Sequence, residues 1–160
     1  MKCLKHTPGS AAEFLWGSEE MRWRRTYAGR PEQARAAREF ARTLFSGALC
    51  VDVAEFIVRE LVANTIRHTR SGKAGGWFGL EVVYDDPAYV AVVDLGGGGI
   101  PIVKTPDEFA ESGRGLYAVA RLAERYGIER TIRQGHKVWA EFHLDKPLAD
   151  LFELEIPPVS

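Results

Sequence analysis

Glu60, Asn64 and His68 stand four residues apart, a spacing that stacks side chains along one stripe of a helix. At about 100° per residue, Ala54, Ile57, Val58, Leu61 and Val62 define the apolar face of that helix, and Asp52, Glu55 and Arg59 its wet face. Glu60 and Asn64 fall between the two, beside the apolar stripe. A carboxylate and an amide against an apolar wall are costly to bury without partners. They either bend to water, as border residues commonly do, or face a ligand. His68 continues the same stripe.

A second group follows at Asp94-Leu95-Gly96-Gly97-Gly98. Val90, Val92 and Asp94 share one face of a strand, so a carboxylate stands where an apolar residue is expected. A buried carboxylate there accepts a hydrogen bond from a ligand amine. The glycines behind it permit positive φ and close backbone approach, and four in a row exceed what a turn needs. The third group is Ser112-Gly113-Arg114-Gly115-Leu116, at the start of a helix. Free N–H groups and the helix dipole make such an end an anion site. Gly113, Gly115 and Ala118 also match the dinucleotide pattern G-x-G-x-x-A, but that fingerprint must follow a strand within a βαβ unit, and here a polar loop precedes it.

Other chemistries find no support. His6, His68, His136 and His143 have no metal-ligand spacing with one another or with Cys3 and Cys50. The Gly-Lys-Ser/Thr of a P-loop and the G-x-S-x-G elbow of a serine hydrolase are absent.

These groups need elements to hold them. Residues 1–19 lack periodicity and read as an irregular leader. Met21 to Tyr27 alternates as a strand, with Arg22 and Arg24 on one side and Trp23 toward the core. Pro31 opens a helix to about Phe45. Asp52, with Glu55 three residues later as in a capping box, starts a second helix running to about Thr69. Trp77 to Tyr84 and Ala88 to Asp94 form a hairpin across Asp85-Asp86-Pro87. A third helix runs from Gly113 to Gly127, with Leu116, Val119, Ala120 and Ala123 on its buried side. Ile128 to Arg133 and Lys137 to His143 form a last hairpin around Gly135. The tail, 145–160, is acidic and apolar. Helices that precede and interrupt a sheet of mostly antiparallel hairpins predict an α+β fold: a two-layer sandwich with a mixed, mostly antiparallel sheet and helices on one face.

At 160 residues the chain fits one domain, about 20–144, large enough to fold without a disulfide or metal staple. Two cysteines make no disulfide framework and suit a reducing cytoplasm. No apolar run approaches the length of about 18 residues that spans a membrane, and Met1 to His6 is followed by no apolar stretch of a signal peptide. A net charge of −1 argues against a dedicated nucleic-acid binder. Residues 21–42 nevertheless hold seven arginines against two acids, a solvated face or a surface for an acidic protein partner.

Taken together and in order, the three groups resemble the GHKL (Bergerat-fold) ATPase and kinase superfamily. Glu60 to His68 resembles its N-box, Asp94 to Gly98 its D-x-G-x-G box, and Gly113 to Leu116 its second glycine box. Within the superfamily, the short chain, the short lid and the closing strand Val138-Trp139-Ala140-Glu141-Phe142 are most similar to the anti-sigma-factor serine/threonine kinases and their stand-alone actinobacterial relatives. The resemblance covers roughly residues 20–144.

The resemblance implies ATP and Mg²⁺ as cofactors. Asn64 would be the metal ligand and Glu60 the general base, while Asp94 would accept from the adenine amino group beside Gly96 and Gly98. Residues 99–112 would form the lid. Gly113, Arg114, Gly115 and Leu116 would hold phosphates, with His68 extending the site and Lys104 and Arg114 as its cations. Phosphoryl transfer rests on positioning and charge neutralisation, so a metal ligand and a base one helical turn apart suit it. Lys137 stands where many relatives have Thr and predicts an altered adenine pocket. The function implied is a cytoplasmic protein kinase that phosphorylates a serine of an antagonist protein and sequesters a sigma factor. A homodimer is admitted, and neither nucleic acid nor membrane is a partner. The rivals are a non-catalytic ATP-sensing module and an interaction domain that has lost nucleotide binding. Glu60 favours the kinase over the sensor, because binding alone needs no base; Lys137 favours the last rival.

Overall fold

The computed structural model describes residues 21–97, 114–130 and 135–153. The leader, the lid and the end of the tail lie outside them, as do Gly98, Lys104 and Gly113. The elements run β1 (Met21–Ala28), α1 (Pro31–Leu44), α2 (Val51–His68), a 3₁₀ turn (Arg70–Gly72), β2 (Trp77–Tyr84), β3 (Ala88–Val93), α3 (Arg114–Leu122), β4 (Arg125–Arg130), β5 (His136–Phe142) and α4 (Leu148–Glu153). The five strands form one sheet in the order β1-β2-β3-β5-β4. Among the described residues all four pairings are antiparallel, in keeping with the expected mostly antiparallel sheet.

Strand alternation gives this sheet two different faces. Leu80, Val82, Val90, Val92, Val138 and Ala140 join Ile57, Val58, Leu61 and Val62 of α2, Ala37 and Ala41 of α1, and Leu116 and Val119 of α3 in one buried core. The predicted apolar stripe of α2 is therefore the face laid on the sheet. The register brings Arg24 beside Glu81 and Lys137 beside Val93 on the other face. There Glu81, 7% exposed, collects Arg22 (2.6 Å), Arg24 and Lys137 (3.6 Å). Trp23 opposes Val82 on the helix side but is only half-buried.

Burial raises the proton affinity of Glu81, but the Arg24 hydrogen bond and the charges of Lys137 and Arg22 outweigh it and hold the carboxyl below its ordinary range. A depressed carboxyl contributes stability above its unfolded value and loses it as pH falls through the folded one. Glu81→Gln is expected to lower stability near neutral pH by about 1–2 kcal/mol, discounted for the exposure of Arg24. It should also make the melting temperature less sensitive to acid than in wild type. Melts across pH 3–7 (on the order of the carboxylate range) check both; an unchanged acid slope refutes the assignment.

Two sequence-based expectations change. No capping box forms at α2: Cys50 precedes the helix without a side-chain cap, and Asp52 and Glu55 both bond Arg42 of α1 instead. The ion pairs tie α1 to α2 and take over both acids. The third helix ends at Leu122, not Gly127. From Arg125 the chain pairs with β5, and Gly127 lies under the Trp139 ring, where a Cβ would come within 2.6 Å of three ring atoms. That glycine marks a close approach within a strand, not the end of a helix. No helix among the described residues is long and apolar enough to cross a membrane.

Candidate functional site

Helix α2 presents Glu60 and Asn64 half-buried at the edge of its core stripe, and exposes His68 at its C-terminal end. Glu60 is held by its neighbour: Arg59 Nη2 lies 3.1 Å from Oε1. The other oxygen, Oε2, lies against the first turn of α3, 2.2 Å from where a Cβ on Gly115 would stand. Only glycine lets the carboxylate rest so close to the backbone there. The base candidate is thus brought onto the end of a nine-residue helix whose free N–H groups favour an anion. Leu116 turns its side chain into the core, so its backbone is what it can offer a phosphate. Arg114 opens the helix.

Asp94 follows β3 directly, and its side chain is fully buried. One oxygen is crowded: Oδ1 accepts from the Gly96 N–H (2.6 Å), from the His136 N–H (3.1 Å), and faces His136 Nδ1 at 3.2 Å. The other, Oδ2, is buried and has no partner among the described residues. A buried acceptor without a donor is expensive, and it fits a site whose donor arrives with a ligand, such as the exocyclic amine of adenine. Gly96 and Gly97 both take positive φ (72° and 93°), which a side chain resists.

The loop carrying these glycines is tied to the end of α2 by residues that the sequence reading passed over. Arg70 N–H donates to Gly96 O (2.7 Å) and Arg70 Nη2 to Leu95 O (2.7 Å). The Leu95 N–H donates to the buried Ser71 Oγ (3.0 Å), and Ser71 N–H to Thr69 Oγ1 (3.1 Å). So Asn64 and Asp94 are fixed relative to each other through Thr69-Arg70-Ser71. A Thr-Arg-Ser-Gly run just past a helix was the available signal, since small hydroxyl residues there satisfy loop N–H groups.

Lys137 does not reach Asp94. It points to the opposite sheet face, 3.6 Å from Glu81, with its ammonium over the Tyr89 ring. Strand alternation explains this: Val138 and Ala140 are core residues, so His136, not Lys137, shares their face and meets Asp94. A cavity of about 910 Å³ opens on that outer side and is lined by Arg70, Trp77, Val93 and Lys137 among others. Asp94 and Leu95 also line it, whereas Glu60, Asn64 and Gly115 do not, so this cavity reaches the Asp94 loop but not the α2 stripe.

Among the described residues no cluster of three or more His, Cys, Asp or Glu could hold a metal ion. A Mg²⁺ at Asn64 would therefore take one amide oxygen from these residues and the rest from phosphates and water, which suits its preference for oxygen and retained hydration. No curated protein matches the chain. The family model of the histidine kinase-like ATPase domain matches residues 27–142. That span begins within β1, ends with β5, and contains both the α2 stripe and the Asp94 loop. With an antiparallel α+β sandwich carrying the three groups in order, this chain belongs to the histidine kinase-like ATPase domains of the GHKL superfamily.

Proposed function

We propose that this domain binds ATP with Mg²⁺ and transfers the γ-phosphate to a serine or threonine of a protein partner, in the manner of the anti-sigma-factor kinases. The observation that carries this reading is the Glu60 carboxylate, brought against the opening turn of α3 one helical turn from Asn64. A nucleotide-binding module has no use for an acid at the place where phosphate would sit, because like charges repel there. A phosphotransferase does: the carboxylate takes the proton from an attacking hydroxyl. Bound Mg²⁺ and ATP supply the neutralised, transferable phosphoryl group. The chain's own part is to seat the base at Asp94, order the phosphates at α3 and orient the nucleophile through Glu60.

The partner surface argued from the arginines takes a different form in the fold. Arg22 and Arg24 hold Glu81, Arg35 pairs with Glu39, Arg42 holds Asp52 and Glu55, and Arg25 stacks over Phe40. Much of that charge is used within the chain. Reversing Arg22 and Arg24 would repel Glu81 and cost stability, so slower association of such a variant would not report a partner contact. An antagonist protein and a sigma factor, met in the cytoplasm, remain the partners this reading implies.

Calorimetry with ATP and Mg²⁺, followed by transfer of labelled γ-phosphate to small antagonist-type proteins, tests the proposal. Saturable binding and a phosphoserine on the acceptor are expected. Binding without transfer to any acceptor would make the domain an ATP-sensing module.

A further inference from the structure

We propose that His136 is a positioning residue of the base pocket, and that its imidazole sets how sharply the site tells an amino purine from a 6-oxo purine. The inference rests on the reading of Asp94 as the adenine acceptor. It comes from the unequal surroundings of the two Asp94 oxygens. Oδ1 has the Gly96 N–H, the His136 N–H and the His136 ring around it, and Oδ2 has nothing among the described residues.

The His136 side chain is 6% exposed, so its ring polar atoms need partners within the fold. A carboxylate oxygen that already takes two N–H donors tolerates a third donor but repels a lone pair. Nδ1 therefore carries the proton, and the imidazole donates to Oδ1. Two backbone donors hold one end of the carboxylate. The imidazole adds a third contact from a side chain, fixes the plane of the group, and fills the volume beside it. Both effects bear on recognition. A fixed plane keeps the bare Oδ2 turned away from the three donors on Oδ1, where it rewards a ligand donor and punishes the carbonyl of a 6-oxo base. A filled volume keeps water away from Asp94. Water both donates and accepts, so a water at that place would bridge either kind of base and blunt the discrimination.

The positioning comes from strand geometry. His136 opens β5, the Asp94 N–H donates to His136 O (2.8 Å), and alternation turns the ring to the helix side with Val138. No motion is required to bring the two side chains together.

The test compares the affinities of ATP and inosine triphosphate, with Mg²⁺, for wild type, His136→Leu and His136→Asn, each checked for a cooperative melt. Leucine keeps the apolar volume and removes the donor; asparagine puts an amide N–H near the place of Nδ1. In wild type ATP should bind well ahead of the inosine nucleotide. The ratio is expected to fall about tenfold in His136→Leu, the worth of one hydrogen bond to a charged group. In His136→Asn it should return to within about threefold of wild type, a few tenths of a decade. A residue that only stabilised the fold would weaken both nucleotides alike and leave the ratio unmoved. An unchanged ratio in His136→Leu overturns the proposal. If that variant does not melt cooperatively, a His136→Asn ratio fallen as far as tenfold overturns it, and a retained ratio supports it. Wild type that binds neither nucleotide overturns the ATP reading itself, and this inference with it.

Discussion

Asp94→Asn is expected to weaken ATP binding by one to two decades while leaving the fold as stable as wild type or more so. The direction follows from the donors already in place. Gly96 N–H, His136 N–H and the His136 ring all converge on Oδ1. An asparagine must turn its carbonyl to these donors, which puts its amide nitrogen where Oδ2 was. A donor then faces the adenine amino group, and the pocket holds two buried donors with no acceptor between them. Losing a hydrogen bond to a charged group costs about 1.5–3 kcal/mol, and each 1.4 kcal/mol is tenfold in affinity. Stability moves the other way, because the substitution removes a buried, unpartnered anionic oxygen. The same geometry predicts that inosine triphosphate loses less than ATP, since its carbonyl meets the new amide N–H. Calorimetry with both nucleotides and a thermal melt measure all three. Equal loss of both nucleotides, or a large fall in melting temperature, would mean that Asp94 holds the fold and not the base.

Much of this site was legible in the residues, and the misses share a cause. The α2 stripe could be read because helical spacing is local. Ile57, Leu61 and Val62 had to face the core, and Glu60 and Asn64 then fell on its border, where the structure has them. Asp94 was legible for the same reason, as the odd carboxylate on an apolar strand face. What depended on pairing was harder. His136 meets Asp94 only because β3 and β5 are adjacent with Val93 opposite Lys137. Alternation from Val138 separates His136 from Lys137, and only His136 shares the face that meets Asp94. Gly127 looked like a helix end because nothing local shows that Trp139 will lie over it. Asp52 and Glu55 looked like a capping pair because nothing local shows Arg42 arriving from α1. In each case a tertiary contact overrode a sound local preference.

Glu60→Ala should keep nucleotide binding and lower phosphoryl transfer by about 10²–10⁴-fold, the usual worth of a positioned general base. The two effects separate because of where the carboxylate lies. Oε2 rests against the first turn of α3, at Gly115, the end of the helix where a phosphate would be received. Removing a negative charge from beside bound phosphates relieves repulsion, and ATP should bind as well as to wild type or somewhat tighter. Glu60→Gln keeps the size and the hydrogen-bonding reach while losing the base, so it should match alanine in transfer. That control excludes loss of packing as the cause, since the side chain is already partly exposed (23%) and held by Arg59. Asn64→Ala should behave differently. On the proposed reading its amide oxygen is the Mg²⁺ ligand, so the variant should lose affinity in proportion to the share that depends on Mg²⁺, and approach wild type when ATP is titrated without the metal. Transfer rates at saturating ATP and affinities with and without Mg²⁺ distinguish the pair. If Glu60→Ala abolished binding while Asn64→Ala left it intact, the carboxylate would be the metal ligand and the two roles on this helix would be exchanged. If neither variant changed transfer, the proton would leave by another route, and the close approach of Glu60 to Gly115 would be a packing contact between α2 and α3.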